Sequence, residues 1–146
     1  MTTTTAAAVS DLDLARALTL AERSVVQRLG GALKEEGATL EEWRVLSFLG
    51  DGVGRPMTEI AEFALLTAPT LTKVVDRMVS LNLVLRRVDD ADRRRVLAFV
   101  SERGSEALTR WTAAVEREQE HIVTALGAEE TALLRTLLQR AARRLG

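Results

Sequence analysis

The chain of 146 residues carries 20 lysines and arginines against 21 aspartates and glutamates, a formal net charge of -1, with 47% hydrophobic residues and no cysteine. That is enough chain for one continuous core without metals or disulfides, and the lack of thiols excludes disulfide frameworks, thiol redox sensing and thiolate zinc sites. The near-neutral sum argues against a uniformly basic polyanion binder, so where the charges sit matters more than their total.

Residues 1–10 have no basic start and no apolar run of signal-peptide length, and no later segment is apolar enough to span a bilayer. They read as a mobile tail on a soluble protein, for which a cytoplasmic location is compatible and a membrane partner is not expected. Asp11 or Asp13 can cap a first helix in which Leu14, Leu18, Ala21, Val25, Leu29 and Leu33 form one apolar stripe, running to about Glu36. Gly30 and Gly31 interrupt it at a cost of about 1 kcal/mol each relative to alanine, and Gly37 fits its carboxy-terminal cap. Thr39-Leu-Glu-Glu42 is a capping box, in which the hydroxyl and the carboxylate satisfy exposed amides reciprocally, and Trp43, Leu46 and Leu49 then face inward. Gly50-Asp-Gly-Val-Gly54 and Pro56 predict a loop, with the proline preset for the next helix.

A short helix from about Met57 to Ala64 contributes Ile60, Ala61 and Phe63 to a core, and a second begins almost at once at Ala68. Two short helices joined this tightly predict a helix-turn-helix. Thr67 can cap the second helix, Pro69 sits in its first turn where a missing amide costs nothing, and Asn82 tolerates the left-handed conformation that ends it. Leu71, Val74, Val75, Met78 and Leu81 recur at helical spacing as an inner face. The outer face, with Pro69, Thr70, Lys73, Asp76, Arg77 and Ser80, is small, polar and net basic, which suits passage through the roughly 12 Å wide major groove of DNA.

Val84 to Val88 and Val96 to Val100 then alternate or branch as strands around Asp89-Asp-Ala-Asp-Arg-Arg-Arg95, a hairpin with a charged tip. From Thr67 to Arg95 there are seven basic and four acidic residues, net +3, whereas Glu102 to Glu130 holds three basic and seven acidic, net -4. A chain polarised this way offers one face to a polyanion and withholds the other, ordinary surface scatter being the alternative. Ser101 can cap a helix of near 25 residues carrying Leu108, Trp111, Val115, Ile122 and Leu126. After Gly127 a last helix carries Leu133, Leu134, Leu137, Leu138, Ala141 and Leu145. That stripe is too wide for a terminal helix to leave in water, so with the first helix it reads as an intersubunit interface, against a monomer in which both pack on their own domain.

The order of elements resembles the multiple-antibiotic-resistance regulator (MarR) family of winged helix-turn-helix transcription factors over nearly the whole chain. The resemblance is carried by Ile60-Ala61, Thr70-Leu-Thr-Lys-Val-Val-Asp-Arg-Met78, Leu83-Val-Leu-Arg86 and, most specifically, Asp92-Arg-Arg94 followed by Ser101 and Gly104. It implies a mainly α fold with a small β-hairpin wing and six helices: residues 11–37 and 102–146 as dimerisation helices, and residues 38–101 as the DNA-binding domain. It also implies a crevice for a small ligand between those parts. Asn82 stands where the family usually has glycine. Leu97 and Phe99 are apolar on a wing face that is normally polar, so something is expected to cover them.

The expected partners are double-stranded DNA, a second copy of the chain and a small anionic or aromatic effector, with no cofactor. The function expected is a ligand-responsive repressor, a homodimer on a pseudo-palindromic operator; a winged-helix module for protein contact alone is the alternative. Candidate DNA contacts are Ala68, Pro69, Thr70, Thr72, Lys73 and Arg77 in the recognition helix, with Arg86, Asp92, Arg93, Arg94 and Arg95 at the wing. Helix-start capping is the alternative for the threonines, an ion pair for Arg77 and a solvated charged turn for the wing. Arg93 or Arg94 is the candidate for minor-groove insertion, with Asp92 holding an arginine in place. Arg16, Trp43 and Trp111 are candidate ligand contacts, with core packing the stronger alternative for both tryptophans. His121 beside Glu118 and Glu120 fits a solvated acidic face better than a metal site. No nucleophile–base pair, metal cluster or phosphate loop supports an enzyme.

Overall fold

A computed structural model of the chain describes residues 13–146; Asp11 and the tail over residues 1–10 lie outside them. The described residues form six helices and three short strands: α1 (Leu14–Glu35), α2 (Leu40–Leu49), β1 (Arg55–Pro56), α3 (Met57–Ala64), α4 (Ala68–Ser80), β2 (Val84–Val88), β3 (Val96–Val100), α5 (Glu102–Leu126) and α6 (Ala128–Leu145).

Local chemistry accounts for most of the boundaries. Asp13 accepts the Arg16 amide at 2.9 Å and starts α1. At its other end Gly37, with φ of 75°, lets the amides of Gly37 and Ala38 reach back to Lys34 and Leu33. Thr39 caps α2 by accepting the Glu42 amide at 3.1 Å. Only this half of the expected capping box forms, because the Glu42 carboxylate turns inward and pairs elsewhere. Asn82 does adopt the left-handed conformation, φ 60°, and so does Leu65 at the turn between α3 and α4, φ 58°, a conformation that leucine rarely adopts. Thr67 stands at the start of α4 without capping it, its hydroxyl donating instead to the Thr70 hydroxyl at 3.0 Å.

The stretch read as a loop from Gly50 to Pro56 ends in a strand. β1 pairs antiparallel with β3, Arg55 opposite Ala98 and Pro56 opposite Leu97, giving a three-stranded sheet in the order β1-β3-β2. The turn into β1 covers part of Phe99, and both Leu97 and Phe99 are half-buried. Gly54 lies so close to Phe99 that a Cβ there would stand 2.3 Å from the ring, and the Arg87 guanidinium lies 5.7 Å from the ring centroid. Ser101 ties the hairpin to α5: its hydroxyl donates to Asn82 O at 2.6 Å and accepts the Gly104 amide at 2.9 Å, while its own amide donates to Leu83 O.

The described residues divide into two compact units, one formed by residues 13–29 with Arg117–Gly146, the other by Gly30–Glu116. The second holds nearly all the core: Leu33, Val45, Leu46, Leu49, Ile60, Leu71, Val75, Met78, Val84 and Val115 are all fully buried. Leu81 departs from the expected inner face of α4, lying just past the helix end and exposed. Phe63 is half-exposed and stacks on Phe48 with ring centroids 4.6 Å apart. In the first unit, Arg28 Nε donates to Glu118 at 2.5 Å and His121 lies 3.3 Å from the same carboxylate. The apolar stripe of α1 is exposed at Leu14, Leu18 and Val25, and no residue of α6 is buried.

Candidate nucleic-acid interface

The surface built by α4 and the wing begins with the sequence of α4, which packs Leu71, Val75 and Met78 inward and so turns Ala68, Pro69, Thr70, Thr72, Lys73, Asp76, Arg77 and Ser80 outward. Residues at its start are small or locally satisfied: the Thr72 hydroxyl donates to Ala68 O at 3.0 Å, and Thr70 accepts from Thr67. Hydroxyls bonded in this way keep acceptor lone pairs for a further donor.

Most of the basic residues on this surface are held by a carboxylate. Arg86 on β2 donates through Nη2 to Asp76 on α4, tying the wing base to the helix. Arg77 places Nε 3.2 Å from Glu42 Oε1, a pair between α4 and α2 in which Glu42 is 2% exposed. Its carboxyl is held above the usual carboxylate range by burial, which outweighs the opposing pull of the Arg77 charge and the Thr39 hydrogen bond. At the tip, Asp92 accepts the Arg94 amide at 3.1 Å and its Nε at 3.3 Å, and Arg95 Nε lies 3.7 Å from Asp89. Asp92 therefore does hold an arginine, and that arginine is Arg94, whose side chain is almost fully exposed. Lys73 and Arg93 have no carboxylate partner among the described residues. A groove of about 430 Å³ separates residues 56–59 at the start of α3 from residues 94–96 of the wing.

The three candidate ligand contacts are not brought to one described site. Trp111 is buried, and Trp43 donates its indole N–H to Thr112 Oγ1 at 3.1 Å, joining α2 to α5; both tryptophans lie in the Gly30–Glu116 unit. Arg16 is exposed in the first turn of α1, in the other unit. Sequence reasoning had missed Glu42 as part of this surface: its place in a capping box hid the fact that the carboxylate faces the core.

Comparison with known proteins finds one family model and several regulators similar to the chain. The family model described as "MarR family" matches residues 36–95, the stretch from the start of α2 to the wing tip. Over that stretch, which is less than half of its length, the chain is similar to the MarR family. It is 26% identical to the HTH-type transcriptional regulator MhqR of Bacillus subtilis (strain 168) over 123 residues, 84% of this chain and 85% of that one. Among solved structures, the transcriptional repressor CouR bound to a 23-mer DNA duplex superposes with a TM-score of 0.83 at 25% identity, covering 88% of this chain and 92% of that one. NadR in complex with 4-hydroxyphenylacetate superposes at 0.72 with 24% identity, covering 88% and 91%.

Proposed function

We propose that this chain is a MarR-family transcriptional regulator, a ligand-responsive repressor that acts as a homodimer on a pseudo-palindromic operator. The observation that carries the DNA-reading part is the α4 surface, small at its start, basic beyond it and flanked by a wing whose Arg94 is oriented by Asp92. In this reading Ala68, Pro69, Thr70, Thr72 and Lys73 enter the major groove, where short side chains permit close approach and Lys73 supplies a long donor. Arg77 and Arg95 meet phosphates, Arg86 sets the wing base, and Arg94 or Arg93 enters the narrow minor groove, whose negative potential attracts guanidinium groups. The superposition on the DNA-bound repressor CouR supports this docking.

Dimerisation is supported by α6, where Leu133, Leu134, Leu137 and Leu138 are 42–59% exposed in the protomer, a contiguous apolar face that a second copy would cover. A small anionic or aromatic effector is supported by the NadR complex with 4-hydroxyphenylacetate. It would act by differential affinity for DNA-competent and incompetent conformations.

Selection of bound duplexes from a random pool, followed by footprinting, tests the reading. Two half-sites about 34 Å apart are expected. A single isolated half-site, or binding that does not weaken with salt as counterion release requires, overturns it. If a broad set of phenolic and carboxylate compounds neither shifts melting nor releases DNA, the effector part falls while the DNA part stands.

A further inference from the structure

The pair between Glu42 and Arg77 joins a buried carboxylate to an exposed arginine on another helix. Glu42 is 2% exposed, its Oε1 lies 3.2 Å from Arg77 Nε, and its Oε2 has no hydrogen-bond partner among the described residues. The Arg77 side chain is 60% exposed. Burying a carboxylate costs free energy even when paired, and packing gives no reason for one here, since glutamine has nearly the same volume.

The atom that makes the contact supplies a reason. A guanidinium is a rigid planar fork, and a carboxylate paired with it by charge, closest to its Nε edge, restrains that edge while neither terminal nitrogen has a hydrogen-bond partner among the described residues. Arg86 offers the contrast, spending the terminal nitrogen Nη2 on Asp76. The wing arginines Arg94 and Arg95 are also met at Nε, but by carboxylates of their own exposed turn. Glu42 instead projects from α2, a helix tied to α5 through Trp43 and Thr112.

We infer that Glu42 is a positioning residue for DNA binding, fixing the Arg77 guanidinium so that its two terminal nitrogens are presented to a backbone phosphate. The inference rests on the reading of α4 as the DNA-facing helix. An arginine ordered before binding avoids losing its rotamer freedom on the complex, a cost of about 0.5–1.5 kcal/mol for such a side chain, equivalent to about 2- to 10-fold in affinity. The sign separates positioning from bulk electrostatics, since removing a carboxylate near DNA should otherwise tighten binding.

The test measures duplex affinity of the full chain against salt, with melting temperature alongside, for wild type, Glu42→Gln, Arg77→Ala, Arg77→Lys and the Glu42→Gln/Arg77→Ala double variant. Glu42→Gln is expected to weaken binding about 2- to 10-fold without lowering the melting temperature. Arg77→Lys, which keeps the charge and loses the fork, should weaken it similarly. The double variant should bind no worse than Arg77→Ala alone. Glu42→Gln binding as tightly as wild type or more tightly, Arg77→Lys matching wild type, or losses that multiply in the double variant would each overturn the role. If Arg77→Ala leaves binding unchanged, the positioning role falls and DNA recognition by α4 stands; if wild type shows no salt-dependent duplex binding, it is the reading of α4 itself that fails.

Discussion

Gly104 and Gly31 both lie within helices, and alanine at each should move stability in opposite directions. In an open helix position, glycine to alanine gains about 1 kcal/mol. Nothing lies within 4 Å of a Cβ built on Gly31, so Gly31→Ala should realise that gain. On Gly104 the same Cβ would stand 2.1 Å from Leu83 O and 3.0 Å from both Leu83 C and Val100 Cγ2, where ordinary contact begins at 3.4 Å. The obstacle is backbone, and that carbonyl accepts the Ser101 amide at 3.0 Å where the hairpin meets α5. Relieving the overlap means moving either the start of β2 or the first turn of α5. Overpacking of this kind costs about 1–3 kcal/mol, and loss of the Ser101 bond adds about 1. After subtracting the propensity gain, Gly104→Ala should lose about 1–3 kcal/mol. With an unfolding entropy of about 2.1 cal/mol/K per residue, each kcal/mol shifts the midpoint by roughly 3 °C for a chain of this length. Calorimetry at one fixed protein concentration should therefore find Gly31→Ala about 3 °C above wild type and Gly104→Ala about 3–9 °C below it. A Gly104→Ala midpoint at or above wild type would refute the close approach of α5 to Leu83.

Charged replacements of Leu134 and Leu138 on the exposed face of α6 should convert a dimer to monomer in sedimentation; a wild-type chain that is monomeric at micromolar concentration sinks the interface. Leu65→Gly should raise stability by about 0.5–1 kcal/mol in urea denaturation, because a left-handed leucine is strained and its 80% exposed side chain surrenders little burial; a loss would mean that the side chain is covered in the functional assembly. The two perturbed glutamates should give opposite pH dependences. Glu118 is held below the usual range, first by the Arg28 hydrogen bond and then by His121. Its contribution is present above the unfolded value and is lost as pH falls through the folded one, so wild type should lose stability relative to Glu118→Gln below about pH 4.5. Glu42 is raised by burial, so its ionised form is a cost that acidification removes, and wild type should gain relative to Glu42→Gln as pH falls from 7 toward 4.5. Stability series across that range that run parallel for both pairs would refute the assignment.

The helices were legible because their apolar positions repeat at helical spacing, and the hairpin because branched residues flank a charged tip. β1 was not, since a two-residue strand containing proline has no periodicity to detect; Phe99 hinted at it only as an apolar side chain needing cover. Leu65 hid its left-handed turn behind a residue that rarely adopts one. The stripe of α1 was legible as apolar but not as divided, with Leu29 and Leu33 buried and Leu14, Leu18 and Val25 exposed, because periodicity says which face is apolar and not what covers it. Among the proposed DNA contacts, the outward direction of Lys73 followed from spacing alone. The partners of Arg77 and Arg86 did not, because Glu42 and Asp76 are brought to them by tertiary packing.

The packing of Trp43 and Trp111 also makes this chain its own optical probe. With no tyrosine and only these two tryptophans, all indole emission, in the near ultraviolet, comes from Trp43 at the contact of α2 with α5 and from the buried Trp111 of α5. The Trp43 indole N–H is bonded to the Thr112 hydroxyl, so Thr112→Val would leave that donor without its partner and shift the emission of one fluorophore while the other serves as an internal reference. Neither ring lies on the outer face of α4 or on the wing, so direct quenching by stacked bases is not expected. A spectral change on adding DNA or a small molecule would then report movement of α2 against α5, read without a label.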